Sequence, residues 1–200
     1  MTAATVHSKS VPNNARDRLL DVALELFATH GYQAIGLRDL AGPLGLHAGS
    51  LYNHIENKQC LLFELIEGAV SDLLADTKRR MRGARTHRDR LQRFVHAFVV
   101  FNLAERRRLL LVTRESVNLT DEQQQAINRL RSNHADLLKA IICAECGETD
   151  CIGERTDMIT EVVIGMLYGQ SLWQSIEVPE QKLLDVLTHS ALGIISSGKD

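Results

Sequence analysis

Apolar residues along this chain return at steps of three and four and never alternate for long, a period that predicts helices and argues against strands. Asn14 can cap a first helix over 15–30, with Leu19, Val22, Ala23, Leu26 and Phe27 as its inward stripe, and Gly31 ends it. Two short apolar segments follow, 37–44 and 48–55. A longer helix starts near Lys58 and keeps Leu61, Leu62, Leu65, Ile66, Ala69, Val70, Leu73 and Leu74 at helical spacing to about Lys78. At 1.5 Å per residue it is roughly 30 Å long, enough to act as a lever between two parts of the protein. Gly83 marks a break. Helices are expected next over about 87–103 and 106–117, and Thr120 with Gln123 forms a capping-box pattern that opens another running to about Cys143. After a loop over 144–155, Thr156 starts a helix to about Ser175, and Pro179 takes the favoured first position of a last helix ending near Ser196. The fold class is all-α.

The segments 37–44 and 48–55 are separated only by Gly45, Leu46 and His47, too few residues for anything but a sharp helix-to-helix turn. Leu37, Leu40, Ala41 and Leu44 share one face of the first segment, Gly45 can take a left-handed backbone angle, and Leu46 can plug the core. Leu51 and Ile55, four apart, anchor the back of the second segment. Its other positions are small or hydrogen-bonding, as a helix facing base edges and phosphates requires. The candidate DNA contacts are Arg38, His47, Ala48, Gly49, Ser50, Tyr52, Asn53, His54 and Lys58.

With Gly31-Tyr32, then Gly49-Ser50-Leu51-Tyr52-Asn53-His54, then Lys58 at the start of the next helix, the stretch resembles the N-terminal module of TetR/AcrR-type transcriptional repressors. The likeness covers about a quarter to a third of the chain. Three positions depart from that pattern. Gly36 stands where the family usually has Thr or Ser, which removes a side-chain cap and a phosphate contact. Pro43 sits late in the second helix and should leave it short or distorted. Ile55 replaces the commoner Phe.

The resemblance implies an N-terminal three-helix helix-turn-helix domain over 14–60 and a C-terminal helical ligand-binding and dimerisation domain over 61–200. It also implies a homodimer that binds a palindromic operator in double-stranded DNA and is released by a small-molecule effector, as a repressor would be. The last two helices suit the dimer role: Ile159, Val162, Val163, Met166, Leu167, Leu172 and Trp173, then Leu183, Leu184, Val186, Leu187, Leu192, Ile194 and Ile195, are apolar over too much of the circumference for a lone surface pair. Gly165 and Gly169 allow close helix contact there. The alternative is that these helices only close the monomer core.

Candidate effector-lining residues are Phe94, Phe98, Phe101, Arg114, Glu115, His134, Tyr168 and Trp173, although aromatics at helical spacing equally make plain core. Arg114-Glu115, in an otherwise apolar helix, reads as an internal ion pair or as an anchor for an acidic or acyl ligand. His134, beside Leu130, Leu137 and Leu138, reads as a satisfied core histidine. Cys143, Cys146 and Cys151 are close enough to suggest a metal- or redox-sensing regulator as an alternative, yet a fourth metal ligand is missing.

Composition adds limits. The chain has 200 residues, 44% hydrophobic and 24% charged, enough for a real core. No apolar run has the length of a membrane span, and the polar segment 1–14, which reads as a flexible arm, lacks a secretory signal, so a cytoplasmic protein with reduced thiols is expected. No nucleophile elbow, phosphate-binding glycine loop or His-Glu-x-x-His pair is present; the chain does not read as an enzyme, and no cofactor is called for. A helical adaptor that binds no DNA is a further alternative.

Charge argues against bulk attraction to DNA. The chain carries a net charge of −2, and between residues 14 and 72 Arg16, Arg18, Arg38 and Lys58 are outnumbered by eight acidic residues. Binding must rest on locally placed donors, with few counterions released. The basic run from Lys78 to Arg93 offers a second nucleic-acid surface, though it reads first as a solvated face.

Overall fold

The computed structural model describes residues 14–146, 153–172 and 178–197, and among them every regular element is helical. The chain divides into two compact units, one reaching to Leu62 and one starting at Phe63.

In the first unit, α1 (Ala15–His30) begins where Asn14 Oδ1 accepts the Asp17 amide at 2.8 Å. Leu19, Ala23 and Phe27 are buried, whereas Val22 and Leu26 are half-buried, so the buried stripe is narrower than the sequence pattern implies. Gly31, at φ 84°, ends the helix, and its amide still reaches Phe27 O at 3.0 Å. The Tyr32 ring meets Phe27 edge-on at 5.3 Å.

The second helix, α2 (Leu37–Ala41), has five residues and then tightens into a 3-10 turn over Gly42–Leu44. Pro43 explains the change: it has no amide to continue the α ladder, and it is accommodated in the first turn of the 3-10 segment. Gly45 follows at φ 66° and ψ 25°, the left-handed angles anticipated for it.

The segment expected as a helix over 48–55 is instead a 3-10 helix over Ala48–Asn53. It is short, His47 gives it no side-chain cap, and Gly49 and Asn53 are weak helix formers, so little favours α over 3-10 hydrogen bonding. Next, α3 (Lys58–Met81) opens with Asn57 Oδ1 accepting the Cys60 amide at 2.8 Å.

The second unit contains α4 (His87–Ala104), α5 (Arg106–Arg114), a 3-10 turn over Ser116–Asn118, α6 (Asp121–Cys146), α7 (Glu154–Leu172) and α8 (Glu180–Ser197). The capping box at α6 is complete: the Thr120 amide donates to Gln123 Oε1 at 3.1 Å, and the Gln123 amide donates to Thr120 Oγ1 at 3.3 Å. Pro179 lies one residue before α8, its carbonyl accepting the Leu183 amide at 3.0 Å.

The centre of this unit is α4, whose Leu91, Phe94, Val95, Ala97, Phe98 and Val99 are fully shielded and which packs against α5, α6, α7 and α8. Polar ties hold the outer helices: Arg108 to Asp72 at 2.7 Å, His96 Nε2 to Glu180 at 3.2 Å, and Lys139 to Asp157. The basic run is partly consumed by the fold. Arg79 and Arg80 both engage Asp76, and Arg93 binds Asp89 while donating to the Arg80 and Arg82 carbonyls at the end of α3. Among the described residues no helix is long and apolar enough to cross a membrane.

Candidate nucleic-acid interface and ligand cavity

The Ala48–Asn53 segment has two distinct sides. Leu51 is fully buried and Ile55 nearly so, which pins the inner side. On the outer side Tyr52 is 60% exposed, His47, Gly49 and Asn53 are exposed, and Ala48, Ser50 and His54 are half-buried. Leu46 is half-buried rather than a full plug. The first amides of any helical segment lack partners within it, so this start can present N–H groups to a phosphate. Arg38 is exposed on α2.

Two neighbouring positions differ from the simplest reading. Lys58 Nζ donates to Tyr32 O at 2.9 Å and Ile35 O at 2.8 Å, and it lies 4.0 Å from the centre of the Tyr32 ring. Burial pulls its pKa down, while the two carbonyls and the ring face favour the charged form. Its ammonium therefore ties the chain after α1 to the start of α3, and Lys58 is a positioning residue rather than a free phosphate donor. At Gly36 only the return half of a capping box can form, the Gly36 amide donating to Asp39 Oδ2 at 2.8 Å.

In the second unit a cavity of about 410 Å³ is lined by Thr113, Arg131, His134, Ile164, Gly165, Tyr168, Gly169 and Leu172. Two of the sequence-derived candidates, His134 and Tyr168, are on its wall. Phe94 and Phe98 stand behind them: Phe94 stacks on His134 at 4.7 Å, and Phe98 meets Tyr168 edge-on at 5.2 Å. Phe101 packs instead under the Arg108 guanidinium, 5.6 Å away. Arg114 is exposed, and Glu115 accepts from Asn118 Nδ2 at 2.8 Å, so the expected internal Arg114-Glu115 pair does not form. The reason is that α5 ends at Arg114, placing both residues at the rim of the helix. Trp173 lies outside the described residues.

His134 is satisfied, as expected of a core histidine, but it also faces the cavity. The Thr77 hydroxyl donates to Leu73 O at 2.8 Å, so across the 3.1 Å contact it accepts from His134 Nε2–H. Burial lowers the His134 pKa to about 4, and the ring is neutral near pH 7. Burial raises the Tyr168 pKa, opposed by the charge of Arg131, and the buried Tyr168 hydroxyl has no hydrogen-bond partner among the described residues.

The sequence reading missed Arg131, although 127, 131, 134 and 138 are spaced along one face of α6, which puts a guanidinium on an apolar stripe. Arg131 Nη2 donates to Val112 O at 2.7 Å and Ser116 Oγ at 3.1 Å. A Cβ on Gly165 or Gly169 would meet nothing within 4 Å in this chain, so both leave space at the cavity.

Cys143 is buried at a helix end, while the Cys146 side chain and Cys151 lie outside the described residues. No group of three or more metal-ligating side chains occurs among the described residues.

Comparison with known proteins decides the family. Residues 19–65 match bacterial regulatory proteins of the tetR family, and residues 84–176 match the tetracyclin repressor-like C-terminal domain. The chain belongs to the TetR family. This TetR-family chain is 37% identical over 73 residues to the HTH-type transcriptional repressor KstR2 of Rhodococcus jostii, an alignment covering 36% of each protein. It thus spans about a third of the length of these curated relatives. A TetR-family transcriptional regulator from Bordetella parapertussis has the same fold, with a TM-score of 0.83 at 18% identity, covering 90% of this chain and 95% of that one. AibR, solved in complex with isovaleryl coenzyme A and operator DNA, superposes with a TM-score of 0.76 at 17% identity, covering 88% and 96%.

Proposed function

We propose that this TetR-family chain is a one-component transcriptional repressor acting in the cytoplasm. It binds a palindromic operator as a homodimer and is released by a small-molecule effector. Residues 14–60 form the DNA reader and residues 61–200 the sensing and dimerising domain. The observation that carries this reading is the two-sided Ala48–Asn53 segment, which buries Leu51 and turns His47, Gly49, Tyr52 and Asn53 outward. A reading head must be held rigidly from behind while its front stays bare. Arg38, Ala48, Ser50 and His54 complete the contact set.

The α7–α8 pair supplies the twin-making surface. Met158 and Val162 on α7 and Val186 on α8 are large apolar side chains that remain exposed and lie outside the cavity lining. The effector acts by binding differently to the DNA-competent and DNA-incompetent states, the only way a ligand shifts such an equilibrium. The solved complex of AibR with both isovaleryl coenzyme A and operator DNA supports the same division of labour here.

A gel shift with the DNA upstream of the protein's own coding region tests the reading. Sequence-selective retention that is lost in Tyr52→Ala supports it. Retention of any duplex equally, or of none, refutes it.

A further inference from the structure

We propose that the cavity between α5, α6 and α7 takes a compact apolar carboxylate in its free ionised form, held by the Arg131 guanidinium and the Tyr168 hydroxyl. The proposal rests on the reading of this cavity as the effector site and adds the chemical class of ligand.

Three features converge on that class. First, Arg131 is a half-buried cation that lines the cavity, and it has no carboxylate partner among the described residues. Its two hydrogen bonds both leave from Nη2 and go to neutral acceptors, so Nε and Nη1 are left without a partner among those residues. A part-buried guanidinium favours an anion, and its planar fork suits a carboxylate. Second, the Tyr168 hydroxyl on the same cavity-lining set is buried and has no partner among the described residues. A phenol donates well to a carboxylate oxygen, and one such group can accept from both residues. His134 supplies no positive charge, because its Nε2–H is given to Thr77 and the ring is neutral.

Third, the remaining wall is apolar apart from Thr113, whose hydroxyl is engaged by the Leu109 and Leu110 carbonyls. Ile164 and Leu172 line it, and Gly165 and Gly169 leave it wide. The volume of about 410 Å³ lies at the lower end of the range for small-molecule sites, about 300–1,000 Å³. Converting the acid to an ester or thioester keeps the body and removes the charge, so such conjugates lose the interaction that selects the free acid.

The test uses the full-length protein with thermal melting and titration calorimetry. The probes are straight-chain acids from hexanoate to dodecanoate and 2-naphthylacetate, each compared with its alcohol and methyl ester. At least one acid is expected to raise the melting temperature and to bind at least about tenfold more tightly than its neutral counterparts. Tyr168→Phe removes that hydroxyl and nothing else; it should melt no lower than wild type and bind that acid about tenfold more weakly. Gly169→Val should fill the cavity and abolish binding. Equal binding of ester and acid, undiminished affinity in Tyr168→Phe, or no binding by any acid overturns the proposal. An acid that binds as expected without releasing operator DNA leaves this inference standing and refutes the regulatory reading instead.

Discussion

Lys58 and Arg38 are both cations near the Ala48–Asn53 segment, and the structure gives them different surroundings. Lys58 serves two backbone carbonyls, so Lys58→Met takes the donor from Ile35 O and leaves Tyr32 O only the longer bond from the Ile35 amide at 3.3 Å. Urea unfolding should show a loss of roughly 1–3 kcal/mol, the cost of unmaking such bonds. Exposed Arg38 should behave the other way: Arg38→Ala changes stability by less than about 0.5 kcal/mol yet weakens operator retention. If Lys58→Met unfolds like wild type, the ammonium is not a structural tie. That distinction was not legible in the sequence, because a lysine at a helix start looks the same whether its head turns to phosphate or back to Tyr32.

His134 gives a second residue-scale test. In the unfolded chain it takes up a proton near pH 6.5, whereas in the folded protein it does so only at about 4. Between those values the unfolded state binds more protons, so stability is complete above about pH 6.5 and falls as pH drops through the window. The full difference is worth about 3 kcal/mol at 1.36 kcal/mol per pH unit. Urea midpoints measured at pH 7.5, 6 and 5 should fall more steeply for wild type than for His134→Gln. Parallel curves would mean that the ring is not held neutral.

At the scale of elements, positions with a local cause were readable and those decided by packing were not. Asn14, Gly31, Gly45 and the Thr120/Gln123 box act through their own backbone, and each does what its residue type dictates. Pro43 shortened α2 for an equally local reason. The 3-10 geometry of Ala48–Asn53 was hidden, since six residues carry too little intrinsic preference to choose between two similar hydrogen-bond ladders. The cavity was half legible: aromatic spacing pointed to His134 and Tyr168, but Arg131 was passed over, and the space at Gly165 and Gly169 depends on which helices lie opposite. The weak start of α2 is open to repair. Gly36 has extended backbone angles that any residue adopts, and a Cβ there meets only Asp39 Oδ2 at 3.4 Å. Gly36→Ser completes the capping box and restricts the unfolded chain, so it should raise stability by about 0.5–1 kcal/mol in a thermal melt. A lower melting temperature would show that the site does not accept a side chain.

At the scale of the whole molecule, the proposed dimer would link its DNA affinity to the number of phosphates engaged. On α7, Met158 and Val162 lie four residues apart on one helix face, remain exposed and do not line the cavity, so they mark the proposed twin-making face. Val162→Asp, placing a charge on that face, should sediment as a monomer at micromolar concentration while keeping its helical content; a variant that stays dimeric moves the interface elsewhere. Each reading head in the dimer has few cations to offer, because four basic residues face eight acidic ones between 14 and 72 and Lys58 is held by its own chain. With about six phosphate contacts per dimer, the logarithm of the binding constant should fall against the logarithm of salt concentration with a slope near −5, from about −0.9 per contact. A slope of about −9 or steeper, that of ten or more contacts, would require a second basic surface, and the exposed arginines Arg82, Arg85, Arg88 and Arg90 would be the first to substitute. The shallow slope is expected because the proposed reading draws selectivity from the placed donors of the Ala48–Asn53 segment and not from the charge of the module that carries it.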